Sequence, residues 1–434
     1  MNSPPASPGD TIKSEPDYGD YIDDLDLNVA ECEYRDLYTA PDGSYLPITI
    51  GELLNGRYLV EHKLSWSGRY TLWLARDLDN DRFVTLKVFV DGDHGQHELC
   101  IAGRIRKRCN KPASRAALAL PCDRFIWSPS GVAGVDHAIL VLPPMGPNLD
   151  DSLDTCLKKS LQQRMSAAKQ LLVALKGLHE MRIVHGDLNP EAVTWNVSPI
   201  LKTTRDQFYH LVGRPRKVYL EPSSNNHYKE GDLVEPIAFP PDIVEGTIRL
   251  GNFHSSIQAG EPVANTAEQE FQYCAPERMH NVQPSFASDM WSFTYLFAQL
   301  YADDGEPLFG GRGPGHIGSM ICHLGQFPKE WRGQYVGACC DFDGFYGKHD
   351  GIGQAQDWWY KDDLDPYRLD FEPHLNTPLE DALERRKPDI TWGEMQLMLS
   401  ILRKGFHYDP KKRITAAHLL ANPDFKTLMD MYGV

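Results

Sequence analysis

The chain has 434 residues, enough for one large two-lobed domain or two ordinary ones, and its 41% hydrophobic and 10% aromatic content supplies a globular core. A net charge of −16 argues against a general nucleic-acid binder, which needs a basic face. No apolar run nears the roughly 20 residues that cross a bilayer; the run Ala138 to Leu142 suits a buried strand. Nine cysteines show no CxxC pair and sixteen histidines no HExxH pattern, so reduced thiols and no dedicated zinc site are expected, in cytosol or nucleus.

Residues 1–36 hold ten acids against two bases, half of the chain's excess negative charge. The Pro-, Ser- and Asp-rich residues 1–32 are predicted to be a disordered acidic tail. MNSPPASPGD has no basic region followed by an apolar one and is not expected to be a secretory signal. Within the tail, Ile12 to Glu15 fits a hydrophobic-Lys-x-Glu modification pattern, and two Ser-Pro pairs are phosphorylation candidates; such short patterns also arise by chance.

Order is predicted from about residue 33. Asn55-Gly56 signals a turn, and RYLVEHKL, TLWLARD and RFVTLKVFV read as strands, the last two joined by the polar DLDND. HELCIAGRIRK has helical spacing. Strands plus one helix make a small lobe over residues 33–145. Over residues 146–430 the spacing becomes helical: SAAKQLLVALKGLHEM, ASDMWSFTYLFAQLYA, HIGSMICHLGQF and WGEMQLMLSILRKGF. The polar, Pro-rich stretch at about 197–246 is too long for a plain strand connection and is predicted to be a partly mobile insert. The fold class predicted is α+β, an antiparallel sheet with one helix followed by a larger, mainly α lobe.

Several motifs then occur in a fixed order. VTLK puts Lys87 on the third strand, and Glu98 lies in the following helix. HGDLNPEA contains Asp187; IRLGNFH contains Asn252-Phe253-His254; CAPE ends at Glu277; SDMWS holds Asp289; DPKKRITAAHLL holds Arg413. Singly, each has a bland reading, such as a solvated lysine or a surface glutamate. Together they resemble the protein kinases, whose bilobal fold the resemblance implies. GSYLPITIGELLNGRYLVEHKL and HIGSMICHLGQFPKEW narrow the likeness to the SR-protein kinases, within the group that holds cyclin-dependent and MAP kinases.

The resemblance implies ATP as nucleotide, with Lys87 and Glu98 as its contact pair, and Leu64, Ser65, Ser67, Gly68 and Leu72 around it. Asp187 takes the catalytic-base position and Asn252 the metal position; Glu277, Asp289 and Arg413 are read as structural. The implied partners are proteins, in particular Arg/Ser-rich basic segments that the runs WYKDDLDPYRLDFE and TPLEDALE would attract, although such runs are also ordinary solvated faces. No direct nucleic-acid or membrane partner is expected, and the chain is expected to be a monomer.

The departures are chemical. Serines replace two loop glycines and Tyr70, bulky enough to fill the space beneath the loop, takes the third position. Asn252 is a neutral amide where a carboxylate holds magnesium, Ala192 removes the second ligand, and Asn189 replaces a lysine. Gly186 replaces an arginine that would receive an activation-loop phosphate. If losses of this kind cost roughly 4–7 kcal/mol, the rate falls by about three to five powers of ten. The leading expectation is a catalytically impaired kinase domain that binds proteins, with magnesium poorly held. The alternative is a slow serine/threonine kinase using Asn252 and Glu191 for one metal. A small-molecule phosphotransferase, suggested by HGDLNPE alone, lacks the APE segment and the HIGSMICHLGQF insert.

Overall fold

The computed structural model describes residues 18–23, 45–90, 94–128, 136–149, 159–198, 203–220, 231–261, 271–280, 282–302, 307–310, 314–325, 328 and 379–434. The Ile12–Glu15 pattern, both Ser-Pro pairs and WYKDDLDPYRLDFE lie outside them. In chain order, β1 (Asp20–Tyr21), β2 (Leu53–Leu54), β3 (Tyr58–Ser67), β4 (Tyr70–Asp77) and β5 (Arg82–Phe89) come first. Next are α1 (His94–Arg108), α2 (Pro112–Ala116), β6 (Asp123–Trp127), β7 (His137–Leu142), α3 (Leu161–Glu180), β8 (Ile183–Val184) and β9 (Val193–Val197). Then follow α4 (Arg205–Val212), β10 (Arg216–Leu220), β11 (Gly231–Val234), β12 (Val244–Leu250) and β13 (Ile257–Gln258). The chain closes with α5 (Phe286–Ala302), α6 (Pro314–Leu324), α7 (Leu379–Arg386), α8 (Trp392–Gly405), α9 (Ala416–Ala421) and α10 (Pro423–Met431).

These elements form two compact units, whose boundaries differ from the lobes expected at residue 145. The first holds the described parts of Met1–Asp91, Ile126–His137 and Pro199–Ala238; the second holds those of Gly92–Phe125, Ala138–Ser198 and Phe239–Val434.

In the first unit β2, β3, β4 and β5 pair antiparallel in sequence order. Asn55 and Gly56 both take positive φ, 52° and 63°, which a tight turn requires and which Asn and Gly tolerate best. The DLDND turn is organised by buried Asp77, which accepts from Arg57 Nε at 2.6 Å, Asn80 Nδ2 at 2.7 Å and Arg82 Nε at 3.2 Å. These donors hold its carboxyl well below the usual carboxylate range.

The polar stretch at about 197–246 carries regular structure where it is described. Its described residues form α4, β10 and β11, and all three are built into the strand unit. A capping box between Thr204 and Gln207 starts α4. Phe208 then packs 5.2 Å from the Phe83 ring, and Arg205 Nε donates to buried Glu61 at 2.7 Å. β10 pairs antiparallel with β11, and β1 joins it in parallel. Tyr45, Leu220 and Leu233 form a small core here, with Trp66 against it. Lys217 and Asp232 are a buried ion pair at 3.2 Å, and Asp232 also accepts from Ile50 N and the Tyr21 hydroxyl, each at 3.0 Å. A buried pair needs such extra donors to offset its desolvation. Residues 18–23, assigned by composition to the acidic tail, are therefore part of the fold.

In the second unit α3 begins with a capping box, Ser160 with Gln163, and buries Met165, Leu171, Leu172, Leu175 and Leu178 at helical spacing. α5 is buried on nearly every side, from Ser288 to Tyr301. β9 pairs with β12 and β8 with β13, which brings the chain on both sides of HGDLNPEA against the IRLGNFH segment. Among the described residues no helix is long and apolar enough to cross a membrane.

Candidate nucleotide-contact strand and catalytic loop

Lys87 lies on β5, opposite Leu72 of β4, and is 2% exposed. Tyr70, also buried, places its ring centroid 4.2 Å from Lys87 Nζ, and the Phe89 ring lies at 5.0 Å. A desolvated ammonium against an aromatic face is a favourable cation–π contact of about 2 kcal/mol. The ammonium that a nucleotide phosphate would need is thus already engaged by the residue that replaces the third loop glycine.

The loop itself is short. Ser67 pairs with Tyr70, so only Gly68 and Arg69 form the turn, while Leu64, Ser65 and Ser67 all belong to β3. Tyr45 donates its hydroxyl to Ser67 O at 2.6 Å, and Val90 N donates to Arg69 O at 3.0 Å. The turn is tied down on both sides.

Glu98 belongs to the second unit and is fully buried on α1. It accepts from Phe253 N at 3.3 Å, and the neighbouring His97 Nε2 donates to Ser256 O at 2.7 Å. The helix is therefore fastened to the segment holding Asn252.

The catalytic-loop segment hangs from Asp289. This buried carboxylate accepts from His185 N at 2.8 Å, Gly186 N at 2.9 Å and His179 Nε2 at 3.0 Å. His185 in turn donates Nε2 to Gly251 O at 2.9 Å, and its own carbonyl accepts the Ser256 hydroxyl at 2.8 Å. Gly186 has φ +83°, and a Cβ there would sit 2.5 Å from Ser255 O. The arginine missing at this position is thus excluded by the backbone, a reason the sequence did not display.

Asp187 is mostly buried, and its Oδ2 faces His254 Nε2 at 3.6 Å. The same imidazole donates Nδ1–H to Asn252 Oδ1 at 2.7 Å. One histidine thus stands between the base position and the metal position, hydrogen-bonded to Asn252 and facing Asp187. Asn252 takes left-handed φ 57° and ψ 55°, a conformation that Asn adopts more readily than most residues. Asn189 accepts from Ala192 N at 3.0 Å and caps its own 3-10 turn, so it is turned back into the loop. Ala192 is 1% exposed and offers no side-chain oxygen, while Glu191 is exposed.

Magnesium requires hard oxygens in near-octahedral order, with one or two carboxylates among them. Here one amide oxygen is shared with an imidazole, and the second position is a methyl group. These side chains do not supply the set the ion needs. Among the described residues, no group of three or more His, Cys, Asp or Glu is arranged to hold a metal.

Glu277 and Arg413 meet as a fully buried bidentate pair at 2.7 and 2.8 Å, and Arg413 also donates to Ala287 O and His407 O. Burial pushes the thiol of Cys274 up to about 12, with the Glu277 and Asp187 carboxylates adding to the effect and Arg278 opposing it.

No protein-family model matches the chain. A serine/threonine protein kinase of Aspergillus fumigatus is 24% identical over 397 residues, covering 88% of this chain and 87% of that one. SRSF protein kinase 3 of Mus musculus is 34% identical over 161 residues, 35% of this chain and 27% of the relative. Protein kinase dsk1 of Schizosaccharomyces pombe is 34% identical over 160 residues, 35% of this chain and 29% of the relative. Among solved structures, the crystal structure of the PF14_0431 kinase domain has a TM-score of 0.59 at 19% identity, covering 88% of this chain and 99% of that one. The α+β architecture is thus the bilobal protein-kinase fold, as the ordered motifs implied.

Proposed function

We propose that this SR-protein-kinase-like kinase domain is catalytically impaired and acts by binding proteins. The observation that carries the reading is the Asn252–His254–Asp187 chain. It engages the remaining ligand oxygen at the metal position, while Ala192 leaves the second ligand position empty of donors. Tyr70 on Lys87 adds support from the other unit. The residues kept, Asp289, Glu277 and Arg413, hold backbone and helices together; those changed would handle metal and phosphate. The proposed partners are Arg/Ser-rich basic segments, on the strength of the relatives named SRSF protein kinases and the net charge of −16. A monomer in cytoplasm or nucleus accords with this reading.

A second reading, a slow serine/threonine kinase, is favoured by the retention of Asp187 and Lys87 and by the likeness to the Aspergillus serine/threonine protein kinase. Thermal-shift titration with ATP, with and without magnesium or manganese, separates the two. The wild-type chain should show no metal-dependent shift, and an Ala192→Asn/Asn252→Asp/His254→Gly variant should gain one. Asp187-dependent phosphorylation of an Arg-Ser peptide by the wild type with magnesium-ATP would overturn the proposal.

A further inference from the structure

Three arginines of the second unit line one cavity. Arg106 comes from α1, Arg115 from α2 and Arg249 from β12, around a volume of about 460 Å³ that no acidic side chain lines. Leu118, Leu120 and Pro143 supply an apolar wall. None of the three guanidiniums has a carboxylate within ion-pair distance among the described residues. Arg115 Nη2 donates to the carbonyls of Arg106 and Cys109 at 3.2 and 2.8 Å. Arg249 gives Nε to Ala116 O at 3.3 Å and Nη1 to Pro144 O at 3.1 Å. The Arg106 guanidinium makes no hydrogen bond to the described residues.

This arrangement costs stability as it stands. Burial lowers the proton affinity of both Arg106 and Arg249, and Arg115 opposes Arg106 as a like charge; Glu245 acts on Arg249 only at longer range. Guanidinium is nonetheless always charged in proteins, and its planar fork matches phosphate oxygens better than an ammonium does. The carbonyl contacts on Arg115 and Arg249 fix those two forks in advance of any ligand. A chain this acidic overall concentrates three unpaired cations here against the trend of its surface.

We propose that the cavity is a phosphate-monoester site that takes a phosphorylated side chain of a partner polypeptide. The dianion sits among Arg106, Arg115 and Arg249, and the carbon body of the residue rests on Leu118, Leu120 and Pro143. The cavity shares β12 with the segment that leads to Asn252, but its lining includes none of Asp187, Asn189, Ala192 or Asn252, so binding in it does not depend on whether phosphoryl transfer occurs at those residues.

Calorimetric titration of the full chain tests this with three probes: inorganic phosphate, phenyl phosphate, and a phosphotyrosine-containing peptide with its unphosphorylated counterpart. Saturable binding of phenyl phosphate and the phosphopeptide is expected, with at least about tenfold weaker affinity for inorganic phosphate and for the unmodified peptide. Arg106→Gln, which removes a charge with no carboxylate within ion-pair distance among the described residues, should weaken the phosphopeptide about tenfold without lowering the thermal midpoint, and Arg115→Gln should weaken it by a similar factor. Equal affinity for inorganic phosphate would reassign the cavity to free phosphate and overturn the peptide assignment. Absence of saturable binding to every probe, or binding that neither variant weakens, would overturn the site itself.

Discussion

Replacing Tyr70 with serine should strengthen nucleotide binding and weaken the fold at the same time. The ring lies 4.2 Å from Lys87 Nζ and is 7% exposed, so the contact is made away from water. Releasing a desolvated cation–π contact returns about 2 kcal/mol of Lys87's interaction capacity to a phosphate, up to about thirtyfold in Kd. Against this, the variant loses a buried ring packed edge-on to Phe89 at 6.1 Å. Large-to-small changes of this kind cost about 3–5 kcal/mol. Calorimetry with ATP gives the first quantity and urea unfolding the second. An ATP affinity within about twofold of wild type, in a variant that keeps its far-ultraviolet circular dichroism, would show that Tyr70 does not compete with phosphate for Lys87.

Glu277→Gln should destabilise the chain by about 3–5 kcal/mol, because it strands the buried Arg413 guanidinium; a Glu277→Leu/Arg413→Met double variant should recover most of that loss in urea midpoints, and a single-variant loss under about 1 kcal/mol would refute the assignment. Gly186→Arg, which restores a kinase-like dipeptide, should cost at least about 2 kcal/mol from positive φ and the clash with Ser255 O, so an unchanged melting temperature would contradict the geometry. Burial holds the His62 and His316 imidazoles down to about 4, against 6.5 for the free ring. The unfolded chain therefore binds protons first, and stability falls as pH drops from about 6.5 towards 4, by on the order of 3 kcal/mol for each ring. His62→Gln and His316→Gln should flatten the difference between urea midpoints at pH 7.5 and pH 5, and identical slopes in wild type and variants would argue against buried neutral rings.

The kinase fold was legible because its signals are local. Alternation in RYLVEHKL and TLWLARD and helical spacing in SAAKQLLVALKGLHEM each sit inside one element, and the order of the motifs supplied the topology. The insert was not legible for the opposite reason. Its own residues are polar, and what fixes them lies far off in sequence: Glu61 for Arg205, and Ile50 and Tyr21 for Asp232. Chemical departures at Asn252 and Ala192 could be read one residue at a time. The engagement of Asn252 by His254 could not, since it depends on a left-handed backbone turn that swings the imidazole between two neighbours. Gly186 read as a loss until the approach of Ser255 O gave it a steric cause.

The parallel pairing of β1 with β10 has a practical corollary. Asp20 N donates to Pro215 O at 2.8 Å and Ile22 N to Lys217 O at 3.0 Å, closing one side of a three-stranded ribbon. A shortened chain starting at Tyr45, the natural choice for anyone trimming acidic low-complexity sequence before purification, would strip that cover. Uncapped main-chain groups at Pro215–Lys217 would then be open to strand addition by neighbouring molecules, and the trimmed protein would tend to self-associate.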